Sequence, residues 1–180
     1  MVTNTRVRWQ ANVNIIMDAV KRNLHALPIV AQAGCKSVVL EAMSKKDRDS
    51  FERFAYASYL LSVEAPSGNG ANSSVALGLN AFYIDPNGTR YADIHDRYFY
   101  PLGAPTQFAP DPDVDFYMQK DGLTYKRTFE NGVVLVNPTK HDTTGNDLGG
   151  SYVDPESNDP TKVVTSVDLP QKTAVIMLKA

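Results

Sequence analysis

The densest run of side chains that could do chemistry is Tyr91-Ala92-Asp93-Ile94-His95-Asp96-Arg97-Tyr98. By type, Asp93, His95 and Asp96 are metal ligands. A strand or turn seldom aims three such neighbours at one spot, and Arg97 offers each aspartate an ion-pair partner. Structural pairing is therefore the stronger reading. Tyr83, Tyr91 and Tyr98 carry flat rings of the kind that stack on sugar faces. The same rings serve equally well to fasten a long loop to its neighbour.

The other reactive groups say less. Asp111-Pro112-Asp113-Val114-Asp115 has the carboxylates for calcium but lacks the glycine and distal glutamate of an EF-hand loop, so it reads as an acidic turn. His25 and His141 have no evident partners in the sequence. Cys35 is the only cysteine, which excludes an intrachain disulfide and a cysteine-ligated zinc site; it reads as a small apolar residue rather than a nucleophile. No Gly-x-Ser-x-Gly elbow, P-loop or dinucleotide fingerprint occurs, and no cofactor is expected. The net charge of −2 gives no electrostatic case for a nucleic-acid partner or an anionic membrane. No apolar run approaches the roughly 20 residues that span a bilayer. Residues Met1 to Arg8 carry no hydrophobic signal segment.

The elements that must position these groups change character near residue 65. Trp9, Val13, Ile16, Val20 and Leu24 recur at helical spacing, with Pro28 as a stop. Pro28 to Ala33 and Ser37 to Ala42 are short apolar runs. The second has adjacent β-branched residues, as a strand buried on both faces would, though so short a run also suits a helix. A second helix starts at Ser44 to Asp47, runs through Phe51, Phe54, Ala55, Ser58 and Leu61, and stops before Pro66. A loop of Pro, Ser, Gly and Asn leads to a strand expected over Ser73 to Leu79. Helix, strand, helix, strand is the order of parallel α/β units.

Residues 80–121 read as irregular, with turns at Asp85-Pro86-Asn87-Gly88 and Pro110-Asp111-Pro112. So long a loop is functional or wraps another surface. The period then becomes two. Leu123, Tyr125, Arg127 and Phe129 alternate with polar residues up to Asn131-Gly132, and Val133 to Val136 follows. Asn-Gly between two such runs predicts a hairpin with a type I′ turn. Asp154 to Thr161 reads as an exposed loop. Val163 to Leu169 and Thr173 to Leu178 read as strands, with Ala174, Ile176 and Leu178 facing one way and Val175 and Met177 the other.

The string Arg127-Thr128-Phe129-Glu130-Asn131-Gly132-Val133-Val134-Leu135-Val136-Asn137-Pro138-Thr139 resembles a segment of bacterial glycoside hydrolases in which a (β/α)₈ barrel is followed by a small β-sandwich. Leu102-Gly103-Ala104-Pro105-Thr106 is similar to the Leu-Gly-x-Pro that often precedes it. Val164 to Pro170 and Ala174 to Leu178 are similar to the closing strands. Arg53 to Leu61 resembles the last-but-one barrel helix, with Ser73 to Leu79 as the last barrel strand. The resemblance covers most of residues 37–180.

It implies an α/β plus all-β fold. Residues 1–80 would form a partial (β/α) barrel-like segment, 81–121 a long irregular loop, and 122–180 a small antiparallel β-sandwich. A whole barrel takes roughly 250 residues. Most of its strands, and with them the paired carboxyl groups of glycoside hydrolysis, are expected to be missing. Glu41 ends the predicted buried strand, on the edge that faces the site in a barrel, where it could bind a sugar hydroxyl or act as an acid. A solvated carboxylate after the strand is the stronger reading. Gln32 takes the same place if Ile29 to Gln32 is the barrel strand. Glu41, Tyr91, Asp93 and Asp96 are thus the candidate substrate-binding residues. The resemblance implies carbohydrate as ligand and an extracellular setting. The alternative is a structural module that assembles with its own copies, because a partial barrel exposes apolar edges that need covering.

Overall fold

The structure, a computed structural model, describes residues 5–21, 45–62, 82–84, 90–92 and 95–180. Among them are two helices, α1 (Thr5–Lys21) and α2 (Lys45–Ser62), and seven strands: β1 (Phe82–Ile84), β2 (Arg90–Ala92), β3 (Tyr125–Phe129), β4 (Gly132–Asn137), β5 (Thr143–Val153), β6 (Val163–Leu169) and β7 (Thr173–Lys179). The fold is mixed α and β. The strands predicted over 37–42 and 73–79 lie outside the described residues, as do Gln32, Cys35 and Glu41.

Both helices follow the apolar spacing. Trp9, Val13 and Ile16 are buried on α1, and Phe54, Ala55, Ser58 and Leu61 on α2. Trp9 Nε1 donates to Ser58 Oγ at 2.9 Å, and Ser58 Oγ donates to Phe54 O at 2.7 Å, so an indole is tied to the neighbouring helix without leaving a polar atom dry. Asp47 in the first turn of α2 suits the positive end of the helix dipole. Neither helix is long and apolar enough to cross a membrane.

Strands β3 to β7 form one antiparallel sheet in the order β3-β4-β7-β5-β6. Every residue of β4 is buried, because the strand has a core on each face. Val134 and Val136 join Ala174 and Ile176 of β7 beneath Trp9, Phe54 and Leu61 of the helices. Val133 and Leu135 face the other way, with Met177, Leu148, Tyr152 and Leu169. The alternation predicted for β7 is the one observed. The β5–β6 pair closes this second core, and all its register shifts fall on β5, where Gly145 (φ 63°) and Gly149 (φ 78°) take left-handed backbone at the bulges.

The hairpin β3–β4 forms where expected, but its turn differs. Phe129 pairs with Gly132, so the turn residues are Glu130 and Asn131, and neither has a positive φ. The type I′ turn is replaced by one clamped from outside. Leu102 O accepts the Asn131 N–H at 2.8 Å, and Ala104 O accepts the Glu130 N–H at 2.9 Å. Asn131 O accepts the Lys179 N–H at 2.9 Å from β7. Gly132 is needed for space rather than for φ: a Cβ there would strike Leu102 Cδ2 and the Met177 carbonyl oxygen.

The stretch read as irregular holds the β1–β2 pair and two 3-10 turns, Asp96–Phe99 and Val114–Tyr117. The rest is a strap. Pro105 bridges Phe129, Thr106 N donates to Thr128 O at 3.0 Å, and Met118 bridges Tyr125. The strap therefore covers the outer edge of β3.

Candidate functional site

The two strings that carry the family resemblance meet in space, and their residues are used inside the fold. Arg127 is 1% exposed. Its NH1 donates to Leu60 O at 3.0 Å and Leu61 O at 2.9 Å, and its Nε to Gln107 O at 3.2 Å. The guanidinium also lies over the Tyr117 ring, 5.0 Å from its centroid. Asn137 Nδ2 donates to the carbonyls of His141, Leu169 and Pro170, while its Oδ1 accepts from the Thr139 N–H and hydroxyl. Phe129 is in the helix-facing core. Leu102 to Thr106 is the strap that clamps the turn. These residues hold elements together and leave little to offer a ligand.

Among the described residues, the largest cluster of ion pairs lies instead where α2, the first 3-10 turn and the β5–β6 loop converge. Asp49, Glu52 and Arg53 share one face of α2 through spacings of three and four. His95 and Arg97 come from the turn, and Glu156 from the loop. Arg97 is 3% exposed. Its NH2 pairs with Asp49 Oδ1, its NH1 donates to Asp49 O at 2.9 Å, and its Nε lies 3.0 Å from Glu156 Oε1. Arg53 NH2 reaches Glu156 Oε2 at 2.5 Å and Asp49 Oδ2 at 3.4 Å.

His95 sits between two carboxylates. Its Nε2 is 2.5 Å from Glu52 Oε2 and its Nδ1 is 3.6 Å from Asp49 Oδ1. The Nε2 approach, like that of Arg97 Nε to Glu156, is off the hydrogen-bonding direction, so both are close contacts rather than aligned hydrogen bonds. Tyr98 and Tyr100 border the cluster. Burial, then the Glu52 carboxylate, pushes the Tyr98 phenol up to about 12. Burial, then Glu156, does the same for Tyr100, also to about 12. Tyr98 meets Tyr56 of α2 edge to face at 4.9 Å.

This arrangement is a brace. In it each carboxylate faces an arginine or a histidine, and both imidazole nitrogens face carboxylates. Among the described residues no group of three or more His, Cys, Asp or Glu is placed to hold a metal ion.

Of the candidate substrate-binding residues, Glu41 and Asp93 lie outside the described residues. Tyr91 is the register partner of Tyr83 in the β1–β2 pair. Asp96 is exposed at the start of the 3-10 turn. Arg97 is not paired with Asp96: its observed ion-pair partners are Asp49 of α2 and Glu156 of the β5–β6 loop, and a pairing with Asp93 falls outside the described residues. The acidic turn at 111–115 is structural: Asp113 Oδ1 accepts the Asp115 N–H, and Asp115 Oδ1 accepts from Gln10 and the Tyr125 hydroxyl.

Asp49, Glu52, Arg53 and Glu156 escaped the sequence reading. The one available signal was the spacing of three and four between Asp49, Glu52 and Arg53 in the charged first half of α2. Searches against protein-family models, curated proteins and solved structures returned no match to this chain.

Proposed function

We propose that this chain is the closing part of a glycoside-hydrolase-type architecture, a non-catalytic support module of a protein that binds or acts on carbohydrate. In this reading α2 is a late barrel helix and the five-stranded sheet, with a core on each face, is the β module that props it. The observation that carries the reading is the lock between Arg127 and the end of α2. The residues that resemble the family tie its β module to its preceding helix, as a supporting module requires. The braced carboxylates of the charged cluster favour support over hydrolysis, which needs one carboxyl group as acid and another as base or nucleophile. The carbohydrate partner rests on the resemblance and on the tyrosines of the 83–98 segment.

The test is a panel of oligosaccharides offered to the full chain, with binding read by calorimetry and hydrolysis by release of reducing ends. Binding without release is expected. Release of reducing ends overturns the non-catalytic reading, and its loss in Glu41→Gln would assign catalysis to Glu41. Absence of binding across the panel removes carbohydrate and leaves the structural alternative.

A further inference from the structure

The two edges of the main sheet are treated differently. The strap covers β3, whereas among the described residues no strand or strap pairs with the outer edge of β6. Seven residues of Val-Val-Thr-Ser-Val-Asp-Leu lie there, without a proline, lysine or bulge in the strand. Those are the usual devices that blunt an edge. Val163 is 53% exposed.

The backbone direction is fixed by its partners. Val167 O accepts from Asn146 Nδ2 and Leu169 O from Asn137 Nδ2, both toward the inside of the sheet. Backbone groups alternate along a strand, and β6 itself has no extra residue. The N–H and C=O of Val164, Ser166 and Asp168 therefore point outward.

We propose that β6 pairs antiparallel with β6 of a second copy, about a two-fold axis at Thr165. This register sets Lys162 opposite Asp168 twice, Val163 opposite Val167 twice, and Thr165 opposite Thr165. Lys162, which immediately precedes the strand, and Asp168 within it are both exposed; Asp168 Oδ1 already accepts the Gly145 N–H at 2.8 Å, so a lysine would meet the other carboxylate oxygen. The odd-numbered face becomes a continuous Val-Thr-Val stripe from both copies. Valine and threonine pairs and opposite charges are the cross-strand combinations that stabilise a ladder. One two-fold operation satisfies charge and apolar face together, as a self-complementary interface must. Such a dimer stands whether or not the chain meets carbohydrate.

The experiment is sedimentation of the full chain over a concentration series, with thermal melting as a check on folding. The native chain is expected to show a monomer–dimer equilibrium that weakens with salt. Ser166→Pro removes an outward donor and keeps the ladder to β5, so it should weaken the dimer about tenfold or more while melting cooperatively. Lys162→Glu should weaken it, and adding Asp168→Lys should restore it. A monomer at concentrations on the order of 1 mM overturns the proposal. So does a dimer indifferent to Ser166→Pro. A dimer that Lys162→Glu leaves unchanged overturns the register.

Discussion

Arg127 of β3 caps the C-terminus of α2 by donating to Leu60 O and Leu61 O from within the core. The last carbonyls of a helix lack intrahelical partners and sit at the negative end of its dipole, so a buried guanidinium meets both needs. Arg127→Met leaves those carbonyls dry and should cost about 3 kcal/mol of stability. Arg127→Lys keeps the charge, but a single ammonium cannot span the carbonyls of Leu60, Leu61 and Gln107, so its cost should fall between the two. Urea midpoints at constant slope measure both. A loss below about 0.5 kcal/mol for Arg127→Met would sink the capping role.

The hairpin turn makes a second prediction, because Asn131 and Gly132 have lost the roles their dipeptide suggests. With φ negative at Asn131 and its side chain exposed, Asn131→Ala should change stability by less than about 0.5 kcal/mol. Gly132→Ala should cost about 2 kcal/mol, because its methyl group meets Leu102 and the Met177 carbonyl. Thermal melting of the two variants decides between spacing and conformation. A larger loss for Asn131→Ala than for Gly132→Ala would restore the type I′ account.

What the sequence disclosed followed from period and flanks. The face of α1 from Trp9 to Ile16, the extent of α2 and the two faces of β7 were all legible, because each has an apolar side that repeats. Strand β5 was not. Leu148 and Tyr152 are its buried apolar residues, and the glycines that bulge it interrupt the alternation that marks a strand. The turn was misread because its hydrogen bonds come from Leu102 and Ala104, far off in the chain. The charged cluster was half legible. His95 and Arg97 stood out in the loop, but their partners Asp49 and Glu156 are set by tertiary contact, which no local pattern encodes.

That cluster yields a third prediction. Arg97 is buried against carboxylates from two other elements, so its removal strands charge rather than deleting a surface pair. Arg97→Met should cost about 3 kcal/mol. Paired with Glu156→Gln in a double-mutant cycle, it should show a coupling of about 1 kcal/mol or more. Added salt should reduce that coupling little, because buried pairs are poorly screened. Additive losses in denaturant titrations would mean that Arg97 and Glu156 do not brace the loop against α2.

Raised phenols give the fourth. Tyr98, Tyr100 and Tyr125 are each pushed up to about 12, in every case chiefly by burial. An unfolded tyrosine titrates near 10. Between those values the unfolded chain releases protons that the folded chain keeps. The stability these phenols contribute is thus whole below pH 10 and is lost as pH rises toward 12. Urea titrations across that window should show a steep alkaline limb, with phenolate absorbance in the folded protein appearing late. The Tyr125 hydroxyl donates to Asp115 at 2.9 Å and accepts from Arg6 Nε and Gln10 Nε2 at 3.0 Å each. Tyr125→Phe should therefore cost about 1 kcal/mol at neutral pH and flatten the limb by one phenol's share. If the phenolate signal lost in each of the Tyr98→Phe, Tyr100→Phe and Tyr125→Phe variants is one that titrates near 10 in the folded chain, the three rings are not shielded as described.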